Sequence, residues 1–205
     1  FNLFYENSTR TMMSFATAAH RLGMAVVSLP VDQSSVKKGE SLADTARTLD
    51  AMHPAALVLR HPDNNASERV TKLMAAPVIN AGDGINEHPT QALLDAATLI
   101  RRFGSLEGKT VAICGDIKHS RVARSNAKLL PRLGATVRLA GPAKLMPADG
   151  EALTVDQAVD GANAVMMLRV QRERLEEELG DTPGEYLRLY GLTKERLAKA
   201  APDAV

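Results

Sequence analysis

Short apolar runs alternate with longer segments of helical periodicity along the chain, and this alternation limits its possible folds more than any other feature. Each apolar run has about the length of a buried strand. The predicted strands are Ala25–Pro30, Ala56–Arg60, Pro77–Ala81, Thr110–Asp116, Thr136–Ala140 and Ala164–Arg169. The predicted helices are Thr11–Leu22, Ser41–Met52, Ser67–Ala75, Pro89–Phe103, Arg121–Leu133 and Thr193–Ala201. Such alternation predicts an α/β fold with mostly parallel sheets covered on both faces.

A break in the pattern lies at Phe103–Lys109. Gly104 and Gly108 follow a long helical segment there, and a new strand then begins. The sequence therefore predicts two doubly wound parallel-sheet domains, residues 1–105 and 106–205.

The composition excludes several classes of protein. Hydrophobic residues make up 45% and charged residues 24% of the 205 positions, which is too apolar for a disordered chain. No run approaches the roughly 18 apolar residues of a membrane helix. A net charge of +1 and 3% aromatic residues argue against a nucleic-acid binder. A single cysteine, Cys114, excludes internal disulfides, and no signal peptide is recognisable, so we expect a cytoplasmic protein.

The first candidate site is the run Ser8-Thr9-Arg10-Thr11 at the start of a predicted helix. Hydroxyls and free backbone N–H groups at a helix start can bind an anion, and an arginine there can add bidentate bonds to a phosphate. An ordinary helix cap beside a surface arginine explains the same residues, and the run taken alone favours that interpretation.

A second candidate is His88-Pro89-Thr90-Gln91, in which Pro89 suits the first helical position. His88 would lie beside the helix start as a neutral hydrogen-bond donor, and Gln91 would offer an amide oxygen to a substrate amine. A capped helix with a polar first turn is an equally good explanation.

Further polar groups follow other predicted strands, at the edge where parallel α/β sheets bind ligands. Arg60 ends one strand, Arg121 begins the helix after another, and Arg169 and Gln171 follow a third. The loop that contains Ser34 and Lys38 is polar and basic. Taken singly, Arg121, Arg169 and the basic loop are more typical of a solvated surface, and Arg60 is also explained by a polar turn that Pro62 closes.

The sequence predicts neither a metal site nor a cofactor. No G-x-G-x-x-G or P-loop pattern occurs, and the five histidines form no H-E-x-x-H pair.

Taken together and in order, these clusters resemble the transcarbamylase family, most closely its aspartate-accepting branch. The stretches that carry the resemblance are Phe4 to Thr11, Lys37 to Thr45, Leu59-Arg60-His61-Pro62, Asn86 to Gln91, Gly115 to Asn126, and Met166 to Gln171. The resemblance implies transfer of the carbamoyl group from carbamoyl phosphate to L-aspartate in de novo pyrimidine synthesis.

The resemblance also implies residue roles. The residues expected to hold the phosphate are Ser8, Thr9, Arg10 and Thr11, and those expected to bind the carbamoyl group are Arg60, His88 and Gln91. Arg10, Thr11 and His88 are the candidate donors to the oxyanion. The residues expected to bind aspartate are Lys38, Arg121, Arg169 and Gln171. Ser34 and Lys38 would enter the site of a neighbouring subunit, because the family's catalytic unit is a trimer.

The chain departs from the family pattern at its ends. The opening helix and the closing helices are missing, so we expect an incomplete sequence or a truncated, inactive protein. Two alternatives stay open: a carbamoyltransferase that uses another acceptor such as ornithine, and a non-catalytic carbamoyltransferase-like subunit. A regulatory or pathway-enzyme partner is compatible with either.

Overall fold

A computed structural model describes residues 1–29, 31, 34–148, 153–170 and 183–205. The chain forms two compact units, Phe1–Thr90 and Gln91–Val205. Each unit has its own parallel sheet with flanking helices, so the predicted α/β class with two sheets is confirmed. The predicted boundary between residues 105 and 106 lies after this division.

The strands within the described residues are β1 (Asn2–Phe4), β2 (Ser28–Leu29), β3 (Leu57–His61), β4 (Val78–Asp83), β5 (Thr110–Cys114), β6 (Thr136–Ala140) and β7 (Ala164–Met167). The α-helices are α1 (Thr9–Arg21), α2 (Leu42–Asp50), α3 (Ala66–Thr71), α4 (Pro89–Phe103), α5 (Arg121–Leu129), α6 (Val155–Val159), α7 (Pro183–Tyr190) and α8 (Lys194–Leu197).

The sheet of the first unit has four parallel strands in the order β2-β1-β3-β4. Successive strand side chains point to opposite faces. Leu3 and Leu59 are fully buried on one face together with residues of α2 and α3. Phe4 and Val58 are buried on the other face, where Phe15 of α1 packs. Helices therefore cover both faces, and the strand ends remain the accessible edge.

The sheet of the second unit has three parallel strands in the order β6-β5-β7. Val111 and Ile113 of β5 pack against residues of α4 and α5. Ala112 and Cys114 face the other side, where they pack against α6. At the end of β5, Gly115 has φ +125°, and a Cβ there would lie 2.9 Å from the carbonyl oxygen of Leu168. Only glycine permits this close approach of the two strand exits.

The differences from the sequence prediction have physical causes. Strand β1 and helix α6 were not predicted, because three and five residues are too short to display a hydrophobic period. Among the described residues of the predicted strand Ala25–Pro30, only Ser28–Leu29 form a strand, which pairs with the short β1. Helix α5 ends at Leu129, and a 3₁₀ helix, Leu130–Leu133, follows because Pro131 has no N–H to donate.

Candidate active site

Three predicted site segments lie at one edge of the first sheet. The run that begins at Ser8 follows β1, Arg60 lies in β3, and the loop that leads to His88 follows β4. Strands β1, β3 and β4 are parallel neighbours, and the Tyr5 N–H donates to the Arg60 carbonyl at 2.9 Å. The carboxyl ends of these strands therefore present the three segments side by side.

Helix α1 begins with a turn that is open to an anion. Ser8 is the N-cap residue, but its hydroxyl does not cap the helix and instead donates to the Thr11 hydroxyl at 2.9 Å. The first turn contains no acidic residue. The first N–H groups of a helix lack partners within the helix, and its dipole places partial positive charge there. Thr9 and Arg10 are exposed at this turn, so both can reach a ligand.

Arg60 is held in place by a carboxylate that the sequence analysis did not select. Its Nε lies 3.1 Å from the Glu6 carboxylate, with the two side chains 13% and 31% exposed. Its Nη1 donates to the Ala81 carbonyl at 3.2 Å, across from β3 to β4. The partial burial strengthens this ion pair relative to a surface one. An acidic residue two positions before the hydroxyl run is visible in the sequence, but nothing local pairs it with Arg60.

His88 is 7% exposed and directly precedes α4, which begins at Pro89 as predicted. The backbone before it is fixed by a bridge in which the Asp83 N–H donates to the Glu87 carbonyl at 3.0 Å. The imidazole therefore has a defined position beside a helix start.

His61 has a different role from His88. Its Nδ1 accepts a bond of 3.0 Å from the Asp63 N–H, and its ring lies 4.6 Å from the Tyr5 ring. Burial lowers the pKa of His61, so the imidazole is neutral at pH 7. Its contacts are those of a structural residue of the β3 exit.

The basic loop is a 3₁₀ helix, Ser35–Lys38, in the first unit. Ser34 caps it by accepting from the Val36 N–H at 3.3 Å, and the Ser34 hydroxyl donates to the Val31 carbonyl at 2.8 Å. Lys38 is exposed. This geometry presents a lysine on a short capped turn.

The second unit carries the other predicted residues. Arg121 is the first residue of α5, after Ser120 has capped that helix. Arg169 is exposed beyond the end of β7, which neighbours β5. Both arginines thus lie at the carboxyl edge of the second sheet. Gln171 lies outside the described residues.

Gln91, in the first turn of α4, donates from Nε2 to Asp95 at 2.8 Å. Asp95 also accepts from the Asn126 amide at 2.7 Å. The amide nitrogen of Gln91 is thus engaged within α4, and the expected role of its amide oxygen toward a substrate amine stays a prediction.

A buried acid–imidazole pair was also missed from the sequence. Asp116, 2% exposed, lies just after β5, and its Oδ1 is 2.9 Å from His119 Nδ1. The pair fixes the turn that leads to Arg121. Among the described residues, no group of three or more histidine, cysteine or acidic side chains is arranged to hold a metal ion. In the same part of the chain, no helix has the length and apolarity needed to cross a membrane.

A family model and known proteins match the chain. Residues 1–101 match the family model of the aspartate/ornithine carbamoyltransferase carbamoyl-phosphate-binding domain. The chain is 55% identical over 210 residues to the aspartate carbamoyltransferase catalytic subunit of Granulibacter bethesdensis, covering 100% of this chain and 66% of that protein.

Solved structures give the same result. Aspartate transcarbamoylase from Trypanosoma cruzi, in complex with carbamoyl aspartate and phosphate, matches with a TM-score of 0.84 and 35% identity over 100% of this chain and 70% of that one. Ornithine carbamoyltransferase from Pyrococcus furiosus matches with a TM-score of 0.84 and 27% identity, covering 100% and 69% of the two chains.

Two parallel α/β units, with a helix start free of acidic residues and arginines near the strand ends, are the features that this chain presents to the comparison. The chain belongs to the aspartate/ornithine carbamoyltransferase family. It spans 66% of the length of the G. bethesdensis relative.

Proposed function

We propose that the protein transfers the carbamoyl group of carbamoyl phosphate to the amino group of L-aspartate, giving N-carbamoyl-aspartate and phosphate. The observation that carries this proposal is the meeting of the Ser8–Thr11 turn, Arg60 and the His88 loop at the carboxyl edge of one sheet. Similarity to proteins named aspartate carbamoyltransferase catalytic subunit supports the proposal of this reaction.

The first unit supplies the carbamoyl phosphate site in this proposal. The phosphate is a dianion, and it would bind to the open N-terminal turn of α1 and to the hydroxyls and guanidinium of that turn. The carbamoyl group would lie toward Arg60 and His88. The Glu6–Arg60 ion pair supports this role, because it keeps the guanidinium at the strand edge before a ligand arrives.

The chemistry follows from charge. The neutral amino group of aspartate attacks the carbonyl carbon, a tetrahedral oxyanion forms, and the C–O bond to phosphate breaks as the carbonyl re-forms. The amine proton leaves with the phosphate or with water. Arg10, Thr11 and His88 would donate to the developing oxyanion, so the protein acts by positioning and electrostatic stabilisation.

Aspartate is preferred over ornithine as the acceptor. Arg121 and Arg169 at the edge of the second sheet provide two guanidinium groups, which suit two carboxylates. The side-chain ammonium of ornithine would meet like charge there. The higher identity to aspartate enzymes, 55% against 27% for the ornithine enzyme, points the same way.

We further propose a cytoplasmic homotrimer in which Ser34 and Lys38 complete the site of a neighbouring subunit. The 3₁₀ turn with its exposed lysine supports this role. Mixing of Lys38→Ala and Arg60→Ala proteins tests it, because mixed trimers contain some sites with both natural residues. Recovered activity in the mixture supports shared sites, and a mixture as inactive as its parents contradicts them.

The reaction itself is tested with purified protein, carbamoyl phosphate and a panel of amino-acid acceptors. We expect phosphate release matched by ureido product with aspartate, and a kcat/KM for aspartate at least about 100-fold above that for ornithine. A product with ornithine alone contradicts the acceptor assignment. Phosphate binding without turnover on any acceptor favours a non-catalytic subunit.

A further inference from the structure

One buried carboxylate, Asp83, ties together the segments around the proposed carbamoyl phosphate site. It ends β4 and is 1% exposed. Its two oxygens accept four N–H bonds. The donors are the Asn65 N–H at 2.6 Å, the Asn80 amide at 2.8 Å, the Glu87 N–H at 3.0 Å and the Asn86 amide at 3.1 Å. The carboxylate thereby links the start of α3, β4 and the loop that follows β4.

The backbone of Asp83 fixes the same loop from the other side. Its N–H donates to the Glu87 carbonyl at 3.0 Å, and its carbonyl accepts from the Asn86 N–H at 2.9 Å. Glu87 is therefore bonded to Asp83 through both of its backbone groups, one to the carboxylate and one to the main chain. The residue after Glu87 is His88, so the position of the imidazole depends on this ring of bonds.

The loop is also packed closely against the turn of residues 62–65. Gly84 has φ +50°, and a Cβ there would lie 2.8 Å from the Pro62 carbonyl and 2.9 Å from the Asn64 N–H. Its neighbour Ile85 donates from its N–H to the Asn64 amide oxygen at 2.9 Å. The 62–65 turn and the 83–87 loop are thus held together, with the Asp83 carboxylate between them.

We propose that Asp83 is a positioning residue that sets the imidazole of His88 at the carbonyl of the substrate. The inference rests on the proposed function, because it assumes that His88 contacts the carbamoyl group. The physical reason is that a carboxylate only accepts hydrogen bonds, and here every donor comes from the segments it must align. An amide of the same shape would turn an N–H₂ group toward two N–H donors, so the loop and His88 would shift.

The test compares Asp83→Asn with a matched control, Asp50→Asn. The Asp50 carboxylate accepts bonds of 3.0 and 3.1 Å from the Ala75 and Ala76 N–H groups, just before β4 begins. The control therefore removes a carboxylate that holds the amino end of the same strand, away from His88. Because a positional error of about 1 Å at a reacting group costs about 100-fold, we expect kcat/KM for carbamoyl phosphate to fall at least about 10-fold in Asp83→Asn. In the control Asp50→Asn, kcat/KM for carbamoyl phosphate should stay within about 2-fold of that of the natural protein. In Asp83→Asn, the KM for aspartate at saturating carbamoyl phosphate should also change by less than about 2-fold.

A second readout does not depend on activity. The imidazole ¹⁵N resonances of His88, assigned by their loss in His88→Ala, should move in Asp83→Asn and stay in place in Asp50→Asn. If Asp83→Asn does not fold, Asn86→Ala takes its place in this test. It removes only one of the four donors and should still move the His88 resonances, by a small amount. Absence of carbamoyl transfer by the natural protein overturns the proposed function while the resonances still test Asp83. Unmoved His88 resonances in a folded Asp83→Asn protein, or a loss of activity equal to that of the control, overturns the inference.

Discussion

Replacement of Arg10 by alanine should lower turnover and at the same time slightly raise the stability of the fold. Arg10 is exposed in the first turn of α1, where no acidic residue offsets the partial positive charge of the helix start. A cation at this end opposes the helix dipole, so its removal should stabilise the fold by about 0.3–1 kcal/mol. For a chain of this length that corresponds to a rise of about 1–4 °C in Tm.

Turnover should change in the opposite direction. Loss of one donor to the developing oxyanion costs about 2.7–4 kcal/mol, so kcat of Arg10→Ala should fall about 100- to 1000-fold. Thermal unfolding beside steady-state kinetics with carbamoyl phosphate and aspartate measures both effects. Inorganic phosphate should raise the Tm of the natural protein more than that of the variant, because the variant lacks the guanidinium of the proposed phosphate site.

The matched control is Arg21→Ala, at the opposite end of the same helix. Arg21 lies in the last turn, where a cation favours the dipole, and it is exposed. Its removal should lower Tm slightly and leave kcat unchanged. Two results would refute the argument that this arginine binds substrate at a cost to helix stability. One is a Tm of Arg10→Ala several degrees below that of the natural protein, and the other is a kcat within about 3-fold of the natural value.

The other predictions concern single groups. Arg169→Ala should raise the KM for aspartate at least about 10-fold with little change in that for carbamoyl phosphate, and an unchanged aspartate KM contradicts its role. Burial raises the pKa of Cys114 to about 11, so its thiol should react only slowly with a disulfide reagent at pH 8 in the folded protein. The thiol should react once urea unfolds the chain, and rapid labelling of the folded protein would contradict this prediction. Backbone bonds from Ala75 and Ala76 lower the pKa of Asp50, so this carboxylate stabilises the fold above the unfolded-state pKa and the effect fades as pH falls below about 4. The urea midpoint should therefore fall less between pH 5 and pH 3 in Asp50→Asn than in the natural protein. An equal fall in both proteins argues against stabilisation by the bonds from Ala75 and Ala76.

The site shows where local sequence stops being informative about chemistry. The hydroxyl run at Ser8 and the histidine before Pro89 are local patterns, and the structure places both at helix starts as predicted. Two carboxylates of the site bond to residues that are distant along the chain. Glu6 follows β1 and contacts Arg60 of β3, and Asp83 accepts a bond from Asn65 in addition to those from its own loop. No spacing in the sequence indicates such pairs, because they form only when the strands pair.

The sequence by itself determined the α/β class, the positions of most long helices and strands, and the order of motifs that identifies the family. These follow from periodicity and residue type within windows of a few turns, which record the face that each segment buries. Tertiary structure alone decided the strand order β2-β1-β3-β4, the three-residue strand β1, and the carboxylate contacts of Glu6 with Arg60 and of Asp83 with Asn65. The physical reason is that strand pairing and buried polar bonds join residues distant along the chain, and their geometry is set by packing rather than by any local preference.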